Sequence, residues 1–437
     1  MPRIAAWSVL RAGHPAPLRE VARACAARGL DERDAALVRR LVGTEVRRRG
    51  TLRALVRAFV RGKPKPDLAA HLHLGLVQIF FLDRIPDHAA VAETVAAVDE
   101  TLGRGKVRVV NAALRSAIRA RRAGAAGDPR RDLVDRDLRL TRPVFRAPAT
   151  HPFLWMEDAF SLPAALAKRW ERRHGRERTV ALARTFLAEP PLAVRGVGID
   201  REEARALLAA LGADPAAGFH PRVLRVAAAH TAAVTGSDAF RAGRLTVQGE
   251  TALAAAELVE AREGERVLDL CAAPGGKTAV LAAAGARVVA VDVNPRRLAR
   301  AQETCGRLGV AERVQLLAGD GAAALGAGDF DAVLVDAPCS NTGVLGARPA
   351  ARWRFGPATQ RELGALQARL LAAGAGQVRP GGRLVWSTCS LEPEENGQLV
   401  RAFLAGRAGW ELEEEWEALP GPEGPVDGGY AARLRRR

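Results

Sequence analysis

The chain has 437 residues, with 66 Lys and Arg against 49 Asp and Glu, a formal net charge of +17 and a pI near 11.0. No apolar run approaches the roughly 18 residues of a membrane span, and the first residues lack a signal-peptide core and cleavage site. The five cysteines, Cys25, Cys271, Cys305, Cys339 and Cys389, form no C-x-x-C pair, so neither a zinc site nor a disulfide framework is expected.

These exclusions leave a cytoplasmic globular protein of about three domains at roughly 150 residues each. Residues 1–125 read as all helix. Leu37, Leu41, Val42 and Val46, then Leu52, Leu55, Val56 and Phe59, recur at spacings of three and four. Leu72 to Leu82 repeats the pattern and is closed by Ile85-Pro86, after which Asp87 reads as the N-cap of a helix through Val98. Arginines cluster at Arg39, Arg40, Arg47, Arg48 and Arg49 and again at Arg115, Arg119, Arg121 and Arg122. Each is either a solvated helix face or a phosphate contact.

Residues 126–150 are rich in Gly, Pro, Asp and Arg without a period and read as a linker. Residues 151–242 read as a small α/β connecting region, with a helix over Pro163–His174 and strands over Leu192–Val197 and Val223–Val226. From 243 to 437 strand and helix alternate. Strands are predicted at Arg266–Leu270, Val288–Val291, Val314–Leu317, Ala332–Val335 and Arg383–Ser387, and helices at Arg296–Leu308 and Thr359–Val378. That alternation predicts an α/β, Rossmann-like fold, a mostly parallel doubly wound sheet.

A net positive charge of this size points to a nucleic-acid partner. Arginine supplies nearly all of it, and Ala, Gly and Pro are abundant, as a GC-rich genome alone would produce. Lysine is rare, so a lysine inside a motif, such as Lys277, carries more meaning.

Val267-Leu268-Asp269-Leu270-Cys271-Ala272-Ala273-Pro274-Gly275-Gly276-Lys277-Thr278 reads as a strand, a tight glycine-containing loop and a helix start. In doubly wound folds that loop lets backbone approach a nucleotide ligand at the carboxyl end of the first strand. Asp292, ending the next strand, can accept hydrogen bonds from two ribose hydroxyls, and Gly319-Asp320 can meet an adenine amino group. The G-x-G-x-x-G of a dinucleotide site is absent. S-adenosylmethionine carries no phosphates and tolerates a looser loop, so the residues admit either nucleotide while leaning to this one.

Two further strand ends carry reactive groups, Asp336-Ala337-Pro338-Cys339-Ser340 and Ser387-Thr388-Cys389-Ser390. A thiolate adding to C6 of cytosine makes C5 nucleophilic towards a methyl sulfonium. A free cysteine has a pKa of roughly 8.5, so such a site must stabilise the thiolate. An acid near N3, as Asp336 can be, absorbs developing charge. A base must then remove the C5 proton, and a second cysteine suits that step.

These motifs, in this order, resemble the bacterial 16S ribosomal RNA cytosine-C5 methyltransferases of the RsmB (Sun or Fmu) type. The N-terminal part is similar to the NusB-type helical RNA-binding domain. Leu74-Gly75-Leu76-Val77-Gln78, Ile85-Pro86-Asp87-His88-Ala89-Ala90-Val91 and Val110-Asn111-Ala112-Ala113-Leu114-Arg115 carry that similarity. The resemblance implies that Cys389 attacks C6 and that Cys339 assists release. It implies a cofactor site of Cys271, Ala272, Ala273, Pro274, Gly275, Gly276 and Lys277 with Asp292, Asp320 and Asp336, the last also facing the base. It further implies S-adenosylmethionine as cofactor, 16S ribosomal RNA as partner, no DNA, membrane or metal, a monomer, and RNA contacts from Arg352 and Arg354. The chain departs from the family pattern at Ala193-Val194-Arg195-Gly196-Val197-Gly198, at Gln248-Gly249-Glu250-Thr251, where Gln-Asp-Glu is usual, and at Asp427-Gly428-Gly429-Tyr430. None touches a cysteine, so the departures bear on which RNA position is modified. Transfer RNA as substrate, a non-catalytic RNA-binding assembly factor and a nicotinamide oxidoreductase are the competing expectations.

Overall fold

A computed structural model describes residues 1–323 and 328–437. The chain divides into two compact units, Met1–Ala188 with Arg348–Arg354, and Glu189–Ala347 with Phe355–Arg437.

The first unit is helical: α1 (Pro2–Arg11), α2 (Val21–Ala26), α3 (Glu32–Phe59), α4 (Pro66–Phe81), α5 (Asp87–Leu102), α6 (Arg104–Ala120), α7 (Pro152–Phe160) and α8 (Ala164–Thr185). Asp31 caps α3 by accepting from the Asp34 amide at 2.7 Å, satisfying one of the orphan donors of the first turn. Leu41, Val42, Val46, Leu52 and Leu55 on α3 are fully buried, each worth roughly 1.5–3 kcal/mol of transfer free energy. Gly50 is a close-approach glycine, because a Cβ there would lie 2.1 Å from the Glu157 carbonyl oxygen of α7.

Three expectations are corrected in this unit. Asp87 is the first residue of α5 rather than its cap; its side chain makes no capping bond and pairs with Arg121 at 2.7 Å. Residues 126–150 are not a loose tether. Strands β1 (Arg121–Ala123) and β2 (Leu138–Leu140) pair antiparallel, and Leu133, Leu140 and Phe145 are buried in the helical core. Their few apolar residues are too widely spaced to show a period. The helix expected to stop at His174 breaks at Gly175, with φ 76 and ψ 167, and then resumes to Thr185. Thr179, Leu182 and Ala183 are buried in the resumed turns.

The second unit holds two sheets. The smaller has the order β4 (Ala216–Ala217), β5 (Val223–Val226), β3 (Leu192–Gly196), β6 (Leu245–Val247), all antiparallel. The larger contains β7 (Arg266–Leu270), β8 (Arg287–Asp292), β9 (Val314–Ala318), β10 (Phe330–Asp336), β11 (Val378–Thr388), β12 (Trp410–Ala418) and β13 (Gly429–Arg436). Its spatial order is β12-β13-β11-β10-β7-β8-β9. β11, β10, β7, β8 and β9 run parallel, and β13 and β12 add an antiparallel edge. Val333, Leu334 and Val335 are all fully buried, the continuous apolar run of a strand covered on both faces. The sheet is the mostly parallel, Rossmann-like one expected. Strand order reverses on either side of β7, so the crevice beyond the carboxyl ends of β7 and β10 is where a ligand belongs.

Candidate active site

The predicted residues sit at that carboxyl edge. Leaving β7, the chain turns through Cys271, with φ 65, and Gly275, with φ 92, into the helix Gly276–Ala283. A Cβ at Gly275 would lie 2.9 Å from the Ala301 Cα, so only glycine fits there. Asp292, at the end of β8, is 2 % exposed. Its oxygens accept from the Ala273 amide at 3.3 Å and the Asn294 amide at 2.9 Å, and Arg297 lies 3.3 Å away. Arg297 also donates to the Ala273 carbonyl at 2.6 Å. Asp292 therefore braces the Ala272–Pro274 loop as well as ending its strand. Asp320, beyond β9, is exposed and accepts from the Ala322 amide at 2.9 Å.

Lys277 Nζ donates to Asp336 Oδ2 at 2.8 Å, and Ser387 Oγ donates to Oδ1 at 3.3 Å. Burial penalises the Lys277 ammonium, but the adjoining carboxylate outweighs it and holds the lysine above its ordinary range. Three acidic strand ends around a glycine-narrowed loop fit a nucleoside bearing a cationic sulfonium. Asp269, within β7, is wholly buried and pushed up to about 7 by that burial, although Thr278 Oγ1 donates to it at 2.7 Å.

None of the five cysteines forms a disulfide among the described residues, and they differ sharply in setting. Cys25 and Cys305 are buried in apolar cores, and burial raises both, Cys305 to about 11. Cys271 is pushed up to about 12 by burial and then by the carboxylates of Asp336, Asp269 and Asp292. Cys339 and Cys389 instead meet, Sγ to Sγ, at 3.3 Å. Their hydrogen bond, then burial, hold Cys339 well above the usual thiol range. That shift favours the protonated form of Cys339, which can then donate to Cys389.

The two cysteine loops are cross-braced. Ala337 N donates to Ser387 O at 2.9 Å, and Gly343 N to Cys389 O at 3.0 Å. The Ser340 and Ser390 hydroxyls lie 3.0 Å apart, and Leu391 N donates to Thr342 Oγ1 at 2.9 Å. The buried Glu395 accepts from Ser340 N at 2.9 Å and from the Gln360 side chain at 3.0 Å. Sequence reasoning missed Glu395, Asn341 and this hydroxyl ladder. Asn341 stands two residues beyond Cys339 and its side chain returns to its own loop; Glu395 gave no signal, because its side-chain partners are 28 to 55 residues distant.

The family departures also find places. Gln248 accepts from Arg195 Nε at 2.8 Å and donates to the Gly276 carbonyl at 3.2 Å, joining the small sheet to the cofactor loop. A Cβ at Gly249 would lie 2.5 Å from Asp427 Oδ2. A side chain at 249 would therefore collide with Asp427 unless that carboxylate moved.

The arginines sort by burial. Arg48 and Arg121 donate to the Val134 and Ile79 carbonyls and serve the fold, and Arg49 pairs with Glu45 at 2.8 Å. Arg352 is not an RNA contact. It is fully buried, pushed down to about 9 by that burial, and donates to the carbonyls of Ser161 at 3.3 Å and Phe186 at 2.8 Å. Arg104, Arg108, Arg115 and Arg119 remain exposed. At spacings of four, seven and four they share one face of α6. Arg115 and Arg119 also line a groove of about 480 Å³ with His88 and Asn111. No described group of His, Cys, Asp and Glu is arranged to hold a metal ion, and no described helix is long and apolar enough to cross a membrane.

Residues 256–421 match the family described as 16S rRNA methyltransferase RsmB/F, and residues 9–119 match the NusB family. The chain is 35% identical over 424 residues to the ribosomal RNA small subunit methyltransferase B of Pseudomonas putida, covering 93% of this chain and 91% of that one. The crystal structure of PH0851 superposes with a TM-score of 0.80 at 22% identity, covering 100% of this chain and 99% of that one. A methyltransferase homologue from Pyrococcus horikoshii gives a TM-score of 0.56 at 25% identity, over 67% of this chain and 100% of that one.

Proposed function

Given that the chain belongs to the RsmB/F family of ribosomal RNA small subunit methyltransferases, which methylate RNA with S-adenosylmethionine, we propose that it methylates C5 of one cytosine in 16S ribosomal RNA through a covalent bond between Cys389 and C6. The carrying observation is the meeting of two thiols just beyond the ends of neighbouring parallel strands, 3.3 Å apart, on a site edge that also holds the Lys277–Asp336 pair. A nucleophile within hydrogen-bond reach of a second proton-carrying group is the arrangement that covalent catalysis uses.

Residues 271–277 with Asp292, Asp320 and Asp336 would hold S-adenosylmethionine, which when bound would supply the methyl group as a sulfonium. The Cys389 thiolate adds to C6 of cytosine. A proton passed to N3 through Asp336, which Lys277 and Ser387 orient, neutralises the negative charge that this addition puts on the ring. With the S–CH3 bond of the sulfonium broken and a neutral thioether left behind, the methyl group would stand on C5; loss of the C5 proton to a base and breaking of the C6–Sγ bond then return Cys389 as thiolate. Cys339 assists that last step from 3.3 Å. The exposed arginines of α6 lie along one helix face and suit an RNA backbone.

The test is transfer of radiolabel from S-adenosylmethionine to 16S RNA, to assembled small subunits and to bulk transfer RNA, with bisulfite mapping of the product. Label at a single 16S cytosine is expected. Label on transfer RNA alone would overturn the ribosomal substrate.

A further inference from the structure

Asn341 lies between the two thiols' loops in the left-handed region, with φ 60 and ψ 28. Asparagine and glycine both tolerate that backbone, so the conformation alone does not call for the amide. The amide is engaged at both ends. Its Nδ2 donates to the Cys339 carbonyl oxygen at 2.6 Å, and its Oδ1 accepts from Cys389 Sγ at 3.3 Å. A carbonyl oxygen can only accept, so the first bond fixes which end of the amide faces the thiol.

We propose that Asn341 is a positioning residue for Cys389: its oriented carboxamide oxygen holds the resting thiol protonated and fixes the direction of its sulfur. The inference rests on the reading of Cys389 as nucleophile. The order of donors is then continuous, from Cys339 S–H to Cys389 Sγ and from Cys389 S–H to Asn341 Oδ1. Asn341 and Cys339 act in opposition. Cys339 donates towards the sulfur and favours the thiolate, whereas an amide oxygen with no proton before it disfavours the thiolate. The nucleophile is kept neutral and aimed until a base takes its proton, which limits alkylation and oxidation of an unoccupied site.

Among the described residues, the titratable and charged groups near Cys389 include Cys339 and Lys277, with Asp336 paired to Lys277 and Glu395 near Cys339. All stay unaltered when only residue 341 is changed. Asn341→Gly keeps the backbone and removes the amide. Asn341→Asp keeps the shape and replaces a neutral acceptor with a charged one.

The experiment alkylates the full chain with iodoacetamide across a pH series, reading modification at Cys389 by peptide mass, and measures kcat and KM for methyl transfer in parallel. One hydrogen bond is worth a shift of about half to one pH unit. The midpoint for Cys389 should fall by that amount in Asn341→Gly and rise in Asn341→Asp. In Asn341→Gly kcat should drop about tenfold with KM for RNA little changed. Unmoved midpoints in both variants overturn the proposal even if kcat falls, because a side chain that only supports the loop would do the same. Cys389→Ala, run alongside, separates the two claims: full methyl transfer in that variant would dismiss Cys389 as nucleophile whatever Asn341 does.

Discussion

Lys277 Nζ and Asp336 Oδ2 lie 2.8 Å apart although their chain positions differ by 59 residues. Lys277 opens the helix after β7, and Asp336 closes the neighbouring strand β10. The pair couples the cofactor loop to the loop that carries Cys339. Lys277→Met removes the cation and leaves Asp336 with Ser387 alone. Steady-state methyl transfer is expected to lose on the order of 10²-fold in kcat, the range attached to one positioned acid–base group. A variant within twofold of the parent would detach the pair from the reaction.

Asp269 predicts how stability depends on pH. Burial pushes it up to about 7, far above the roughly 3.9 of an unfolded chain. The folded state therefore keeps this proton over a range where the unfolded state has lost it. The contribution is fully present below about pH 4 and is lost as pH rises through about 7, at up to about 1.4 kcal/mol per pH unit between them. Asp269→Asn cannot ionise. Thermal unfolding at pH 5 and pH 8 is expected to show the parent losing more stability than the variant between those values. Parallel pH dependence in the two would place the ionised carboxylate in the native fold at no cost.

The exposed stripe on α6 makes a prediction about salt. Each phosphate contact contributes about 0.7 to 0.9 to the slope of log K against log salt. Arg115→Gln with Arg119→Gln should make that slope shallower by about 1.5 for binding of 16S RNA, while a short RNA oligonucleotide carrying the target cytosine, supplied at saturation, is methylated at the parental rate. An unchanged slope would assign these arginines to solvent.

Local pattern made the parallel strands legible. Val267–Leu270 and Val333–Val335 are short apolar runs bounded by turns, and the helices between them keep their period. The loop chemistry was legible too, since Cys271, Gly275, Lys277, Asp336, Cys339 and Cys389 sit where β7, β10 and β11 end. What stayed hidden depends on distant partners. β12 carries Glu411, Glu413, Glu414, Glu415 and Glu417, residues that disfavour strands. It is held by β13, where Arg433 and Arg435 bond Glu413 at 2.9 and 2.7 Å. Leu133, Leu140 and Phe145 were lost among glycines and arginines for the same reason. Arg352 read as an RNA contact because a fully buried arginine is rare; its acceptors are carbonyls 191 and 166 residues away.

The chemistry itself turns on one trapped species. If Cys389 attacks C6 and Cys339 assists release, then Cys339→Ala, incubated with S-adenosylmethionine and 16S RNA, should leave protein covalently joined to RNA. Denaturing gel electrophoresis would show the slower band, and peptide mass mapping after nuclease digestion would find the nucleotide on Cys389. The double variant lacking both thiols should show no band. An active parent whose Cys339→Ala form gives no adduct, or gives one on any residue other than Cys389, would contradict the thiolate mechanism.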